Sequence, residues 1–204
     1  MKSKKNVIHK CVDKVTDYVP AIDYPQLNAL GLIAINLVLI YALGAQFFMS
    51  ELPCPLCSLQ RLGFVSVMFG LSLNVLYGLR PSHYALAIIG AFFGALPALR
   101  QVALHVIPGT PHYGSAFLGF HFYTWAFIVF MLIILGVAIL SSNDSQYQLT
   151  KKKEKVIKLS ELDTLSRVAI GLTLAIVAIN LLAIFAECGP FQCPDDPVSY
   201  WLFK

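Results

Sequence analysis

Charge is what this sequence has least of. Its 204 residues include 15 Lys and Arg and 11 Asp and Glu, or 13% charged, about half the usual share for a soluble domain. No Asp, Glu, Lys or Arg occurs in residues 24–50, 52–60, 62–79, 81–99, 101–143 or 168–186. A soluble core has no need of uncharged runs this long, whereas a bilayer requires roughly 20 apolar residues per helical span. The scarcity of charge excludes a disordered chain and a nucleic-acid-binding surface. With 13 Gly and 5 Cys, neither a collagen-like repeat nor a secreted disulfide-rich mini-domain fits.

What is present is hydrophobicity, 57% of residues, arranged in five long runs. These predict helical spans at 28–49, 58–79, 82–103, 120–140 and 167–186. Inside hydrocarbon every backbone N–H and C=O must be satisfied, which leaves helices or closed barrels. The runs are too long and too evenly apolar for alternating barrel strands. The first is longer than a signal-peptide core and has no small-x-small cleavage site at its end, so it is expected to stay in the membrane. The fold class is therefore an all-α integral membrane protein: a four-helix transmembrane bundle plus an additional C-terminal fifth span.

The basic residues orient it. Lys2, Lys4, Lys5, Lys10 and Lys14 precede the first span, Arg80 sits between the second and third, and Lys151, Lys152, Lys153, Lys155, Lys158 and Arg167 lie between the fourth and fifth. Alternating spans put those on one face, leaving Arg61, Arg100 and Lys204 elsewhere. The expected arrangement has the N-terminus in the cytoplasm and the C-terminus outside. The chain then divides into a cytoplasmic or interfacial segment 1–27, the four-span bundle 28–140, a cytoplasmic linker 141–166, the fifth span 167–187 and an outer tail 188–204. Val7, Ile8, Cys11, Val12, Val15, Val19 and Ile22 recur at roughly helical spacing, which suits a helix in the headgroup plane; a loosely ordered basic tail is the alternative. Ser160-Glu161-Leu162-Asp163 has the form of a capping box opening the last helix.

Topology sorts the five cysteines. Cys54 and Cys57 fall in the first outer loop, Cys188 and Cys193 follow the last span on the same side, and Cys11 alone is cytoplasmic. The oxidising compartment thus holds two close pairs, and Cys11 reads as a small apolar contact. Cys54-Pro55-Leu56-Cys57 has redox spacing: such a dithiol closes a small ring and often contains a sulfur of depressed pKa. Pro53 ends one helix and Cys57 opens the next, where free N–H groups and the helix dipole favour a thiolate. Arg61, one turn further along the same face, adds a fixed positive charge. A structural disulfide would not need that arginine. A four-cysteine zinc site would need every thiol reduced in an oxidising compartment.

The run Cys54-Pro-Leu-Cys57-Ser-Leu-Gln60-Arg61 closely resembles the active-site motif of the DsbB family of bacterial inner-membrane thiol oxidases. Ala98-Leu-Arg-Gln-Val-Ala-Leu-His105 resembles the end of the family's third span. Phe117-Leu-Gly-Phe120 with Trp125 resembles its entry into the fourth. The resemblance covers roughly residues 30–140 and implies a relay. A periplasmic thioredoxin-fold oxidase of the DsbA type is the partner, and a membrane quinone (ubiquinone or menaquinone) is the cofactor. Cys57 would face the quinone, Arg61 would polarise a quinone oxygen, and Cys54 would close the disulfide with Cys57. A strongly oxidising partner can give up electrons only to a deeper sink, and about 30 mV corresponds to about 1.4 kcal/mol for a two-electron couple.

The chain departs from the family in two respects. Typical members have four spans and carry the second cysteine pair between the third and fourth. Here that loop has no cysteine, and the second pair is Cys188-Gly-Pro-Phe-Gln-Cys193 after a fifth span. Cys188 and Cys193 are expected to replace the loop pair as the shuttle to the partner, Gly189 and Pro190 favouring the turn between them; a structural staple is the alternative. Tyr200, Trp201, Leu202 and Phe203 suit an interfacial anchor, and Asp195 and Asp196 suit a local tuning of the tail thiols. Arg100, near the outer end of the third span, is a second candidate for the quinone pocket or a snorkelling side chain. His105 suits proton delivery or a satisfied interfacial position. His105, His112 and His121 match no compact metal spacing. Gln60 is carried by the motif alone, and Pro97 predicts a kink. Two other classes compete: a membrane thiol reductase or vitamin-K-epoxide-reductase-like enzyme, whose cysteine order is the reverse of this one, and a non-catalytic disulfide-stapled scaffold, which leaves Arg61 unexplained.

Overall fold

A computed structural model describes residues 23–107, 109–110, 112–150 and 161–203, the side chains of 148–150 excepted. Cys11, the expected interfacial helix and the lysine run of 151–158 lie outside the described residues. The helices are α1 (Tyr24–Phe48), α2 (Pro55–Tyr77), α3 (Pro81–His105), α4 (Phe122–Ser141), the short α5 (Ser145–Thr150) and α6 (Thr164–Cys188). Ahead of α4, the two-residue strands β1 (Ala116–Phe117) and β2 (Phe120–His121) form a hairpin. All but α5 are long and apolar enough to cross a membrane. At about 1.5 Å per residue, even the 20-residue α4 reaches about 30 Å.

Four of the five spans begin ahead of the expected start, and in three of them Pro25, Pro55 and Pro81 lie within the first helical turn. Proline lacks an N–H where none is needed and its ring presets the helical φ. Asp23 caps α1, accepting from the Gln26 N–H at 3.3 Å. Ser160, which opens the expected capping box, lies outside the described residues; α6 is capped at Asp163, whose carboxylate accepts from the Ser166 N–H at 3.3 Å. Hydrogen bonding to Ser166, its side chain first and then the backbone, holds the Asp163 carboxyl below its usual pKa. The fourth helix starts two residues later than expected because Phe120 and His121 pair with Phe117 and Ala116. Leu118 and Gly119, both at positive φ, turn that hairpin, as a two-residue turn between twisted strands requires. Pro97 is buried within a continuous α3.

The packing order runs α4, α3, α2, α1, α6, with α6 also reaching α2. Small residues set the closest approach. A Cβ on Gly63 would lie 2.4 Å from the Gly94 Cα, and one on Gly94 would lie 2.2 Å from the Phe130 ring. Lipid is as apolar as leucine, so helices in a bilayer gain by close van der Waals packing and by hydrogen bonds across the interface. Both occur here. Asn74 donates to Asn28 at 3.0 Å and Asn28 donates to Tyr84 at 2.8 Å, joining α1, α2 and α3 at the end far from Cys54. Asn36 donates to Thr173 at 2.9 Å and ties α6 to α1. Outward faces are apolar, with Ile139 and Leu182 largely exposed, as lipid contact demands. The chain is an all-α, multi-pass membrane protein.

Candidate functional site

Cys54 is the N-cap of α2 and Cys57 lies in its first turn. The Cys57 N–H points to the Cys54 sulfur at 3.2 Å, and the two sulfurs are 2.7 Å apart as free thiols. Bond formation therefore needs a movement of only about 0.7 Å. Gln101, on α3, donates from Nε2 to Cys54 at 3.4 Å and to Cys57 at 3.6 Å, while its Oε1 accepts from Gln60 at 2.8 Å. Charge in the reduced pair gathers on Cys54: the hydrogen bond from the Cys57 thiol, opposed by burial and helped by the N–H groups of Cys57 and Leu56, lowers its pKa to about 7. The sequence places the favoured thiolate at Cys57. The helix N-terminus acts on Cys54 instead, because the capping position receives the N–H bonds.

Arg61 is buried one turn deeper, 7% exposed. Its guanidinium donates to Gln46 Oε1 at 2.6 Å and to the Ala42 carbonyl at 3.0 Å, both on α1. Two donors in fixed geometry hold the cation in place at a depth where an arginine is otherwise costly. Cys57, Gln60, Arg61 and Gln101 share the wall of a cavity of about 390 Å³, lined also by Glu51, by Tyr113 and by apolar side chains such as Tyr41, Phe122 and Val129. A volume in the range of small-molecule sites, lined by hydrophobic groups and a few convergent polar ones, is what a flat organic ligand needs.

Residues 25–115 match the model of the family described as disulfide bond formation protein DsbB. This segment is similar to the DsbB family. No curated protein and no solved structure matches the chain. The DsbB match takes in α1, α2 and α3, with Cys54, Cys57, Arg61 and Gln101 inside it, and it ends before α4. The description of that family is disulfide bond formation, an oxidoreductase chemistry.

The DsbB segment is roofed by two pieces of chain. Glu51 accepts from the backbone and hydroxyl of Ser115, and Tyr113 donates to the Leu52 carbonyl at 2.5 Å. These bonds hold the loop between α3 and α4 against the segment leading to Cys54. The tail beyond the DsbB match forms the other piece. Cys188 and Cys193 are joined as a disulfide, with Cys188 buried and Cys193 half-buried. Gly189, at φ +63°, ends α6, and a Cβ there would lie 2.6 Å from the Trp201 ring. Trp201 also packs on Phe185 and Phe191. The tail thus folds back on its own helix, and the Tyr200 hydroxyl accepts from Gln46 Nε2 at 3.3 Å. Through Gln46 the tail reaches Arg61.

Arg100 is not brought to this centre. It is exposed and stands outside the cavity wall, where its neighbour Gln101 takes the inward place. One residue turns a helix by about 100°, and Ala87, Ala91, Gly94, Ala98 and Gln101 mark the buried face of α3. That stripe of small residues was the available signal for Gln101. His105, His112 and His121 do converge despite their spacing. The rings of His112 and His121 stack at 4.5 Å, and His105 stacks on Tyr123 at 5.2 Å. Gln46 and Glu187 were missed by sequence reasoning, although both are polar residues at the ends of otherwise apolar runs.

Proposed function

We propose that the chain is a protein-thiol oxidase of the bacterial inner membrane, which reoxidises a periplasmic thioredoxin-fold partner of the DsbA type and passes the electrons to a quinone. The observation that carries this is the opening of Cys57 and Arg61 onto one largely apolar cavity of about 390 Å³ beside Cys54. The basic residues support an N-terminus in the cytoplasm and a tail in the periplasm. The residues fit a quinone: Tyr41, Phe122 and Val129 would hold a flat ring, and Arg61 and Gln101 would offer donors to its oxygens. A bound quinone supplies a sink for two electrons and two protons.

The chain's own residues do the rest. The partner's dithiol reduces the Cys188–Cys193 disulfide by thiol–disulfide exchange, its own sulfurs leaving as a disulfide. Cys193 is the more accessible sulfur for attack. The tail dithiol then reduces a Cys54–Cys57 disulfide by a second exchange and is itself reoxidised. The Cys54–Cys57 dithiol closes again as its electron pair leaves through Cys57 at the cavity wall. Arg61 stabilises negative charge there, and Gln101 keeps both sulfurs oriented.

The test supplies a reduced thioredoxin-fold protein and a ubiquinone or menaquinone analogue to the purified full chain. Quinone is expected to be consumed, and Cys57→Ser is expected to abolish that consumption. Turnover that survives Cys57→Ser, or no quinone loss with the unmodified chain, overturns the proposal.

A further inference from the structure

Glu187 is the anomaly of the fifth span. It is 2% exposed, and neither carboxylate oxygen has a hydrogen-bond partner. An ionised carboxylate left unpaired in such a place is costly, so the group is stable there either neutral or compensated by a nearby cation. The tail that follows Glu187 meets Arg61 through Tyr200 and Gln46, and Arg61 is the cation whose charge acts on Glu187. The charge of Arg61 also acts on Cys57 and Cys54. One positive charge is therefore shared by two acidic sources, the cysteine pair and a carboxyl contributed by a helix outside the DsbB match. Cys54 acts on Glu187 directly as well. The other titratable groups facing this field are Tyr200 from the tail, which feels Arg61, and Tyr113 from the loop after α3, which feels both Glu187 and Asp196. Burial raises the Tyr113 pKa, so that phenol stays neutral. Cys188 and Cys193 are bonded and do not titrate.

We infer that Glu187 is a redox-linked proton site: it carries a proton while the reduced Cys54–Cys57 pair holds a negative charge against Arg61, and it ionises to take over as the counter-charge of Arg61 when the pair becomes a disulfide. This rests on the oxidase reading above. The balance closes. The reduced centre consists of one thiol, one thiolate and a neutral carboxyl. Forming the S–S bond removes two electrons, one proton from the remaining thiol and one proton from Glu187. A quinone-class acceptor takes up two electrons and two protons, and the centre keeps the same net charge throughout. Conservation of charge in a low-dielectric site is the driving reason, since two anions beside one arginine, or one arginine with none, each leave a charge uncompensated. Glu187 acts through Arg61 and the proton balance and does not line the cavity, so its role is that of a positioning and proton-holding residue.

The experiment is infrared difference spectroscopy on the full chain in detergent, without quinone, between the oxidised state and the state reduced by dithiothreitol. The expected result is a protonated-carboxyl C=O band that appears on reduction, shifts in deuterated water and is lost in Glu187→Gln. Glu187→Asp keeps a displaced band and so reports even where Glu187→Gln folds poorly. Cys54→Ser/Cys57→Ser, which leaves only the tail disulfide to be reduced, is expected to lack the band. Absence of the band in the unmodified chain, its survival in Glu187→Gln, or its appearance in the Cys54→Ser/Cys57→Ser protein overturns the inference. Because no quinone is present, these outcomes are separate from failure of quinone reduction, which bears on the oxidase reading alone.

Discussion

At the scale of single residues, the chemistry is decided by which sulfur receives the free N–H groups of α2. Cys54 receives them, and its thiol is acidic chiefly because the Cys57 thiol donates to it, with the N–H groups and Gln101 adding to that. Below pH 7 the group is protonated and a poor nucleophile; above it the thiolate dominates. Alkylation of the reduced protein by iodoacetamide is therefore expected to accelerate with pH through a midpoint near 7. Gln101→Ala, which deletes one of the bonds lowering that pKa, is expected to move the midpoint upward. A midpoint at the ordinary thiol value of about 8.5 in the unmodified chain would refute the assignment of charge to Cys54. The motif itself was legible because Cys54, Cys57 and Arg61 are close in sequence. Gln46 was not, since its hydrogen bond to Arg61 joins residues on two different helices.

At the scale of elements, the site depends on how near α2 and α3 approach, because Gln101 must reach both sulfurs from α3. Glycine sets that distance. Gly94→Val would drive a side chain into the Phe130 ring, and overpacking of this kind costs about 1–3 kcal/mol. A lowered Tm in detergent is expected, with slower thiol oxidation as Gln101 is displaced. Gly44→Ala is the control: nothing lies within 4 Å of a Cβ at that position, so a change within about 0.5 kcal/mol is expected. Equal loss of Tm in the two variants would show that helix spacing is not what Gly94 controls. The spans were readable from apolar run length alone. Their exact starts were not, since apolar run length says nothing of Pro25, Pro55 and Pro81, which sit within first turns, where the missing N–H has no consequence.

At the scale of the whole molecule, a fifth span and a tail follow the DsbB-like segment, and the tail folds back to its Arg61 end through Tyr200 and Gln46. If the tail disulfide is the shuttle, the two cysteine pairs separate two reactions. In the double variant Cys188→Ser/Cys193→Ser, a thioredoxin-fold partner is expected to lose its ability to drive quinone reduction. A small dithiol such as dithiothreitol is expected to retain it through Cys54 and Cys57. An unchanged partner-driven rate would reduce the tail disulfide to a staple. The burial of Cys188 against the greater access of Cys193 favours attack on the latter.

The sequence by itself determined the membrane class, the number of spans and the pairing of cysteines by position. Those properties follow from run length and from short-range spacing, and both are printed in the order of residues. Only the tertiary structure decided that Arg100 faces away while Gln101 faces in, that three histidines meet, and that Glu187 shares a field with Arg61. Each of these joins side chains from different helices or depends on the rotation of one helix about its axis. A shift of one residue changes that rotation by about 100°, and an apolar helix with no polar face of its own carries little in its sequence to set it.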